Sequence, residues 1–116
     1  MKPNRQDSES RRRQNEEALF RAIASLRDAE ECDHFFKDLC TPAELQALAD
    51  RWQVVALLRE RLPYRRIHDL TGVSVTTIGR VARYLSEGYG GYRLAAERMA
   101  RKERRARPRA SQARVR

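Results

Sequence analysis

PYRRIHDLTGVSVTTIGRVARYL, residues 63–85, decides how the rest of the chain is read. Apolar residues at helical spacing flank Gly72-Val73-Ser74, which predicts helices over Tyr64–Thr71 and Val75–Leu85 around a tight turn. Gly72 supplies the turn, Val73 packs in the corner, and Ser74 caps the second helix. Ile67, Val73, Ile78 and Val81 are spaced to form the small core that fixes two helices near a right angle, as a helix-turn-helix requires. His68 falls at an inward position where a small residue is usual; an opened inter-helix angle, or an edge position for the ring, accommodates it. The outward side of the second helix carries Thr76, Thr77, Arg80 and Arg83. Threonine can meet thymine methyls or phosphates, and arginine can grip guanine O6 and N7 in bidentate fashion. Arg65 and Arg66, at the start of the first helix, fit over a phosphate backbone. Together with Ser74 these form the candidate DNA-binding set. The competing readings are a plain packing hairpin and a surface for RNA.

Upstream, Thr41-Pro42-Ala43-Glu44 is the clearest helix start in the chain. Thr41 can cap, Pro42 suits the first helical position, and Glu44 can reach back to the cap amide. This helix is expected to run to about Arg61, before Pro63 ends it. Its apolar set, Leu45, Leu48, Trp52, Val55 and Leu62, is widened by Ala49, Val54, Leu57 and Leu58 beyond a single stripe. The surplus points to a subunit interface. Trp52 shares helical spacing with Leu48 and Val55, which makes it core or interface rather than a ligand-stacking group. Further back, Leu19, Ala22, Ile23 and Leu26 predict a helix from Glu16. A second helix starts at Asp28, with Glu31 as capping-box partner and Cys32, Phe35, Phe36 and Leu39 on its apolar face. Downstream, SEGYGGY is a glycine-rich break with Tyr89 and Tyr92 available at the corner. Leu94, Ala95 and Met99 then give one short helical face.

Charge separates the ends from the middle. Residues 1–15 carry five positive and two negative side chains, 16–60 five and ten, 61–100 seven and three, and 101–116 eight and one. A net charge of +9 and a sequence pI near 10.5 favour an acidic partner, most commonly nucleic acid. The polar first 15 residues and RKERRARPRASQARVR at the end show no apolar period. The expected organisation is therefore a disordered arm over 1–15, a helical dimerisation and helix-turn-helix domain over 16–100, and a disordered basic tail over 101–116. A domain of about 85 residues is marginally stabilised by its own core, and broad apolar faces could interleave with a second copy; a homodimer is expected.

Other chemistries find little support. His34 and His68 have no cysteine or carboxylate at metal-ligand spacing, and no nucleophile motif or phosphate loop occurs, so neither enzyme, metal nor cofactor is expected. Cys32 and Cys40 read as inert packing thiols. No run approaches the roughly 18 apolar residues of a membrane span. The N-terminus lacks the apolar core of a secretory signal, so a cytoplasmic, nucleoid-associated protein is expected.

From Leu19 to Met99 the chain resembles the YerC/YecD-type branch of the tryptophan repressor superfamily. EECDHFFKDLCTPAELQALADRW, YRRIHDLTGVSVTTIGRV and GYGGYRL carry the resemblance, in that order. It implies an all-α fold, an intertwined helical homodimer presenting two helix-turn-helix units, and a role in transcription regulation. In the tryptophan repressor itself a bound tryptophan props the reading heads apart. The resemblance puts the pocket arginines at Arg51 and Arg80 and the pocket threonines at Thr41 and Thr77. Val81 stands where that pocket has glycine, and Tyr84 where it has serine. Both add bulk beside the ring position, so tryptophan is expected to be excluded and the effector, if any, is unassigned. Arg80 is then free to serve DNA directly.

Two functions from different classes follow. In one, a homodimer reads a pseudo-palindrome in double-stranded DNA, most simply as a repressor. In the other, the basic ends dominate and the protein coats nucleic acid without sequence preference.

Overall fold

A computed structural model describes residues 5–107, and for Arg5 the backbone alone. Six helices follow one another there: α1 (Arg5–Ala24), α2 (Ala29–Leu39), α3 (Pro42–Arg59), α4 (Tyr64–Thr71), α5 (Val75–Glu87) and α6 (Gly91–Ala106). No strand occurs among the described residues, and the fold is all-α as expected. The chain divides into two compact units, Met1–Leu45 and Gln46–Arg116.

Within the described residues both terminal helices run further than the apolar pattern marks. α1 is helical from Arg5, well before the start expected at Glu16, and α6 continues through Arg101 to Ala106. These stretches bury nothing; every described side chain from 6 to 18 and from 101 to 107 is exposed. They are rich in Arg, Lys, Gln and Glu, however, which propagate a helix at little cost once a neighbouring apolar turn has nucleated it. Residues 1–4 and 108–116, which complete the expected arm and tail, lie outside the described residues.

In the first unit the local signals are satisfied by the atoms they call for. The Asp28 carboxylate accepts from the Glu31 amide at 2.9 Å, starting α2. Glu31 returns the contact one residue further back than a capping box requires, accepting from the Arg27 amide at 2.9 Å. Leu19, Ala22, Ile23 and Leu26, and then Cys32, Phe35 and Phe36, are half-buried, while Leu39 is exposed. The Phe35 and Phe36 rings meet edge to face at 5.6 Å. Among the described residues this unit has no fully buried side chain.

α3 begins with the full reciprocal box. The Thr41 hydroxyl accepts from the Glu44 amide at 3.1 Å, and the Glu44 carboxylate accepts from the Thr41 amide at 2.8 Å. Those amide and hydroxyl contacts with Thr41 hold the Glu44 carboxyl below the usual glutamate range. At the other end the last turn closes as a Schellman motif. Arg61 turns left-handed (φ 64), its amide reaches the Leu58 carbonyl at 2.9 Å, and the Leu62 amide reaches back to Leu57 at 3.4 Å. Leu62 is thereby folded onto the core that Leu57 and Leu58 also touch.

That core belongs wholly to the second unit. Val54 and Val55 of α3, Ile67 of α4, Val73 of the turn, and Ile78 and Val81 of α5 are its buried members. The four residues expected to fix the helix-turn-helix are thus all buried. Around them pack Leu57, Leu58, Leu62, Leu85, Tyr92 and Ala96. α6 therefore meets the core through Tyr92 and Ala96, whereas Leu94, Ala95 and Met99, expected to form its apolar face, are exposed. Only one of the two corner tyrosines packs: Tyr92 is half-buried and Tyr89 is fully exposed.

Arg61 holds a backbone conformation that costs an ordinary L-residue roughly 1–2 kcal/mol. Arg61→Gly is accordingly expected to raise unfolding free energy by about 0.5–1 kcal/mol, net of glycine's larger unfolded-state entropy. Urea titration monitored through Trp52 fluorescence checks this, and a decrease would show that the Arg61 side chain itself holds the corner.

Candidate nucleic-acid interface

α4 and α5 meet around the corner that the glycine makes possible. Gly72 ends α4 left-handed (φ 77), its amide bonding the His68 carbonyl at 2.8 Å. Three polar contacts lock the turn. Thr71 donates its hydroxyl to the Ile67 carbonyl at 2.7 Å, and the same oxygen accepts from the Val73 amide at 3.0 Å. His68 Nδ1 lies 2.7 Å from the Val73 carbonyl, a contact in which the ring nitrogen is the donor. His68 is exposed at the rim, so its bulk is accommodated at the edge and it fastens the corner residue besides. Sequence reading singled out its size and missed this bond.

Ser74 starts α5 by accepting from the Thr77 amide at 3.1 Å, with the two hydroxyls 3.0 Å apart. Thr77 is held half-buried by that cap, while Thr76, Arg80 and Arg83 are exposed. With Ile78 and Val81 turned into the core, the remaining face of α5 is the polar one expected. Ser74 and Thr77 are thus committed to starting the helix, and Thr76, Arg80 and Arg83 are its free outward side chains. Arg65 and Arg66 lie exposed in the first turn of α4. Pro63 precedes that turn and offers no side-chain cap, so the leading amides of α4 remain open to an outside acceptor. An uncapped helix start beside two arginines suits a phosphate oxygen.

Arg80 has a neighbour that the sequence placed but did not pair with it. Its guanidinium carbon lies 5.6 Å from the centre of the Tyr84 ring, a cation–π contact. Tyr84 is 43% exposed, whereas Val81 is 1% exposed and filled into the core. Of the two bulky replacements, Tyr84 alone stands beside the Arg80 head. Thr41 is engaged in the cap of α3, and Arg51 is exposed on α3 with no hydrogen bond or ion pair to Thr77 or Arg80.

The far end of α5 is also held. Gly88 closes it, and a side chain there would collide with the Tyr84 carbonyl, 2.3 Å from an added Cβ. Gly90 then turns left-handed (φ 88) to start α6. From the first turn of α6, Arg93 donates to the Leu85 and Ser86 carbonyls at 3.2 and 3.4 Å. A guanidinium on the free carbonyls of a helix C-terminus complements their partial negative charge. Nothing in the GYGGYRL pattern itself reveals this clamp, because it depends on the angle between α5 and α6.

No helix among the described residues is long and apolar enough to cross a membrane, and no cluster of three or more His, Cys, Asp or Glu there could hold a metal ion.

Comparison with known proteins agrees with this geometry. The family model described as Trp repressor protein matches residues 14–100. YerC of Bacillus subtilis (strain 168), itself uncharacterized, is 48% identical over 81 residues, which are 70% of this chain and 78% of YerC. Among solved structures, a TrpR-like protein from Eubacterium eligens ATCC 27750 superposes with a TM-score of 0.72 at 44% identity, covering 75% of this chain and 90% of that one. A candidate Trp repressor from Staphylococcus aureus gives 0.69 at 40% identity, covering 72% and 84% respectively.

Removing the clamp should loosen the start of α6 and the last turn of α5 together. Arg93→Ala is expected to lower stability by about 0.3–1 kcal/mol, the usual worth of a cation at an exposed helix end. Amide exchange near Leu85–Tyr92 should rise in the same variant; unchanged exchange there would mean the contact is incidental.

Proposed function

This chain belongs to the Trp repressor family, and we propose that it is a sequence-specific DNA-binding transcriptional regulator, acting as a homodimeric repressor that does not depend on tryptophan. Members of the family are regulators built on a DNA-binding helix-turn-helix, not enzymes. The observation that carries the finer reading is the division of α5 into two faces. Ile78 and Val81 are buried, and Thr76, Arg80 and Arg83 are left exposed on a helix fixed at both ends. A rigid helix with free hydroxyls and guanidiniums is what the major groove admits and what base edges can bond. Arg65, Arg66 and the open amides of α4 serve the flanking phosphates.

Several features support the dimer. The core has six buried side chains, none of them in the Met1–Leu45 unit among its described residues. Leu48 and Trp52 on α3 remain 41% and 39% exposed, and Leu94 and Met99 on α6 are exposed as well. Large apolar side chains in that number call for cover by a second copy. Two copies would set their reading helices about one DNA turn, roughly 34 Å, apart. Independence from tryptophan is supported by Tyr84, whose ring already occupies the flank of Arg80. The competing reading, a protein that coats nucleic acid without sequence preference, draws on the basic continuation of α6 through Arg101, Lys102, Arg104 and Arg105.

Selection of bound duplexes from a random pool tests the two against each other. The expected product is a pseudo-palindrome bound by two chains, recovered equally with and without tryptophan. Arg80→Ala should relax discrimination at one base position per half-site, worth about 1–3 kcal/mol. An unenriched pool, with Arg80→Ala nearly neutral and deletion of 101–116 severe, would establish the coating protein instead. Saturable tryptophan binding by calorimetry at physiological concentration would overturn the effector reading separately.

A further inference from the structure

The basic charge of α6 is focused at one place. Arg101 and Arg104, on successive turns of α6, line a cleft of about 230 Å³ together with Arg59 from the last turn of α3. Ala100 and Glu97 complete its lining, so three guanidiniums meet one carboxylate. No ion pair engages any of the three arginines among the described residues; the pairs found there are Arg21–Glu17 and Lys37–Asp33. All three arginines are exposed, with their donors open to solvent.

Two of these residues lie just past the span that the family comparison matches, which ends at residue 100, while Arg59 lies within it. The cleft is therefore made where the continuation of α6 meets the shared helical framework. Arg101 and Arg104 are held on adjacent turns of one helix face, and Glu97 offsets only one of the three positive charges in the cleft. Guanidiniums present planar, paired donors that match phosphate oxygens, and several together favour a multiply charged ligand over a single carboxylate. The cleft opens to solvent, so an extended phosphate chain can enter it without displacing the helices.

We propose that Arg59, Arg101 and Arg104 form a phosphate-binding site, distinct from the reading face of α5. The phosphates can be those of a free polyphosphate, such as a nucleotide tail, or those of a DNA backbone; the second source rests on the DNA-binding function proposed above, and the first does not.

Calorimetry of the full chain with inorganic triphosphate, and duplex binding measured across a salt series, form the two arms of the test. In each, Arg59→Gln and Arg101→Gln are compared with Lys102→Gln, which removes the same charge from the same helix outside the cleft. A saturable triphosphate isotherm that the two arginine variants weaken about tenfold, and Lys102→Gln does not, assigns the site to a free anion. An effect confined to the duplex arm, where each arginine variant lowers the salt slope by about one and Lys102→Gln does not, assigns it to backbone phosphate. Equal effects from Lys102→Gln in whichever arm responds, or no effect in either arm, overturn the proposal. Circular dichroism of the variants keeps misfolding out of the comparison. Base discrimination through Arg80 would survive that failure intact, so the two readings fall separately.

Discussion

The corner at Val73 is the contact on which the rest of this molecule depends. Among the described residues, four of the six buried side chains, Ile67, Val73, Ile78 and Val81, come from the helix-turn-helix, and the other two, Val54 and Val55, come from α3. A core this small leaves little redundancy. Burying one such aliphatic side chain is worth about 1.5–3 kcal/mol, a large fraction of the stability of a domain this size. The corner can exist because Gly72 turns left-handed without cost, and it is held because Thr71 and His68 bond the amide and carbonyl of Val73. Orientation of α5 and integrity of the core are thus one property. A regulator can ill spare side chains that only stabilise or only position.

The parts legible in the sequence are those governed by local chemistry. The box at Thr41–Glu44, the caps at Asp28 and Ser74, the Gly72 turn and the four corner apolars each need only a few neighbouring residues, and all stand where the residue types demand. What could not be read depends on partners distant along the chain or on weak propensity. Tyr92 and Ala96, not Leu94 and Met99, meet the core, because the Gly90 turn sets the rotation of α6 about its own axis. The same rotation brings Arg93 onto the carbonyls of α5. At the ends, the lack of an apolar period does not mean a lack of structure. Arg-, Gln- and Glu-rich sequence needs no buried face to continue a helix already begun.

Arg80 sits between two demands that the family framework normally keeps together. An arginine at this place can hold an effector or a base, and which it does depends on what flanks it. Here the flank is an aromatic ring 5.6 Å from the guanidinium carbon. A cation over a ring face keeps its in-plane donors free, since the ring attracts the charge without accepting their hydrogen bonds. Tyr84 can therefore hold Arg80 in place while leaving its in-plane donors open.

With the flank of Arg80 taken by the protein's own side chain, what fixes α5 lies at its two ends. The N-terminal end is set by Ser74 and Thr77 within the corner and answers only to the core. The C-terminal end is different: Arg93 ties the Leu85 and Ser86 carbonyls to α6, and Tyr92 and Ala96 carry α6 onto the same core. Whatever shifts α6 must either strain the Arg93 contacts or move the last turn of α5. The basic cleft lies along α6, on the turns after those core contacts, with Arg59 bridging to α3.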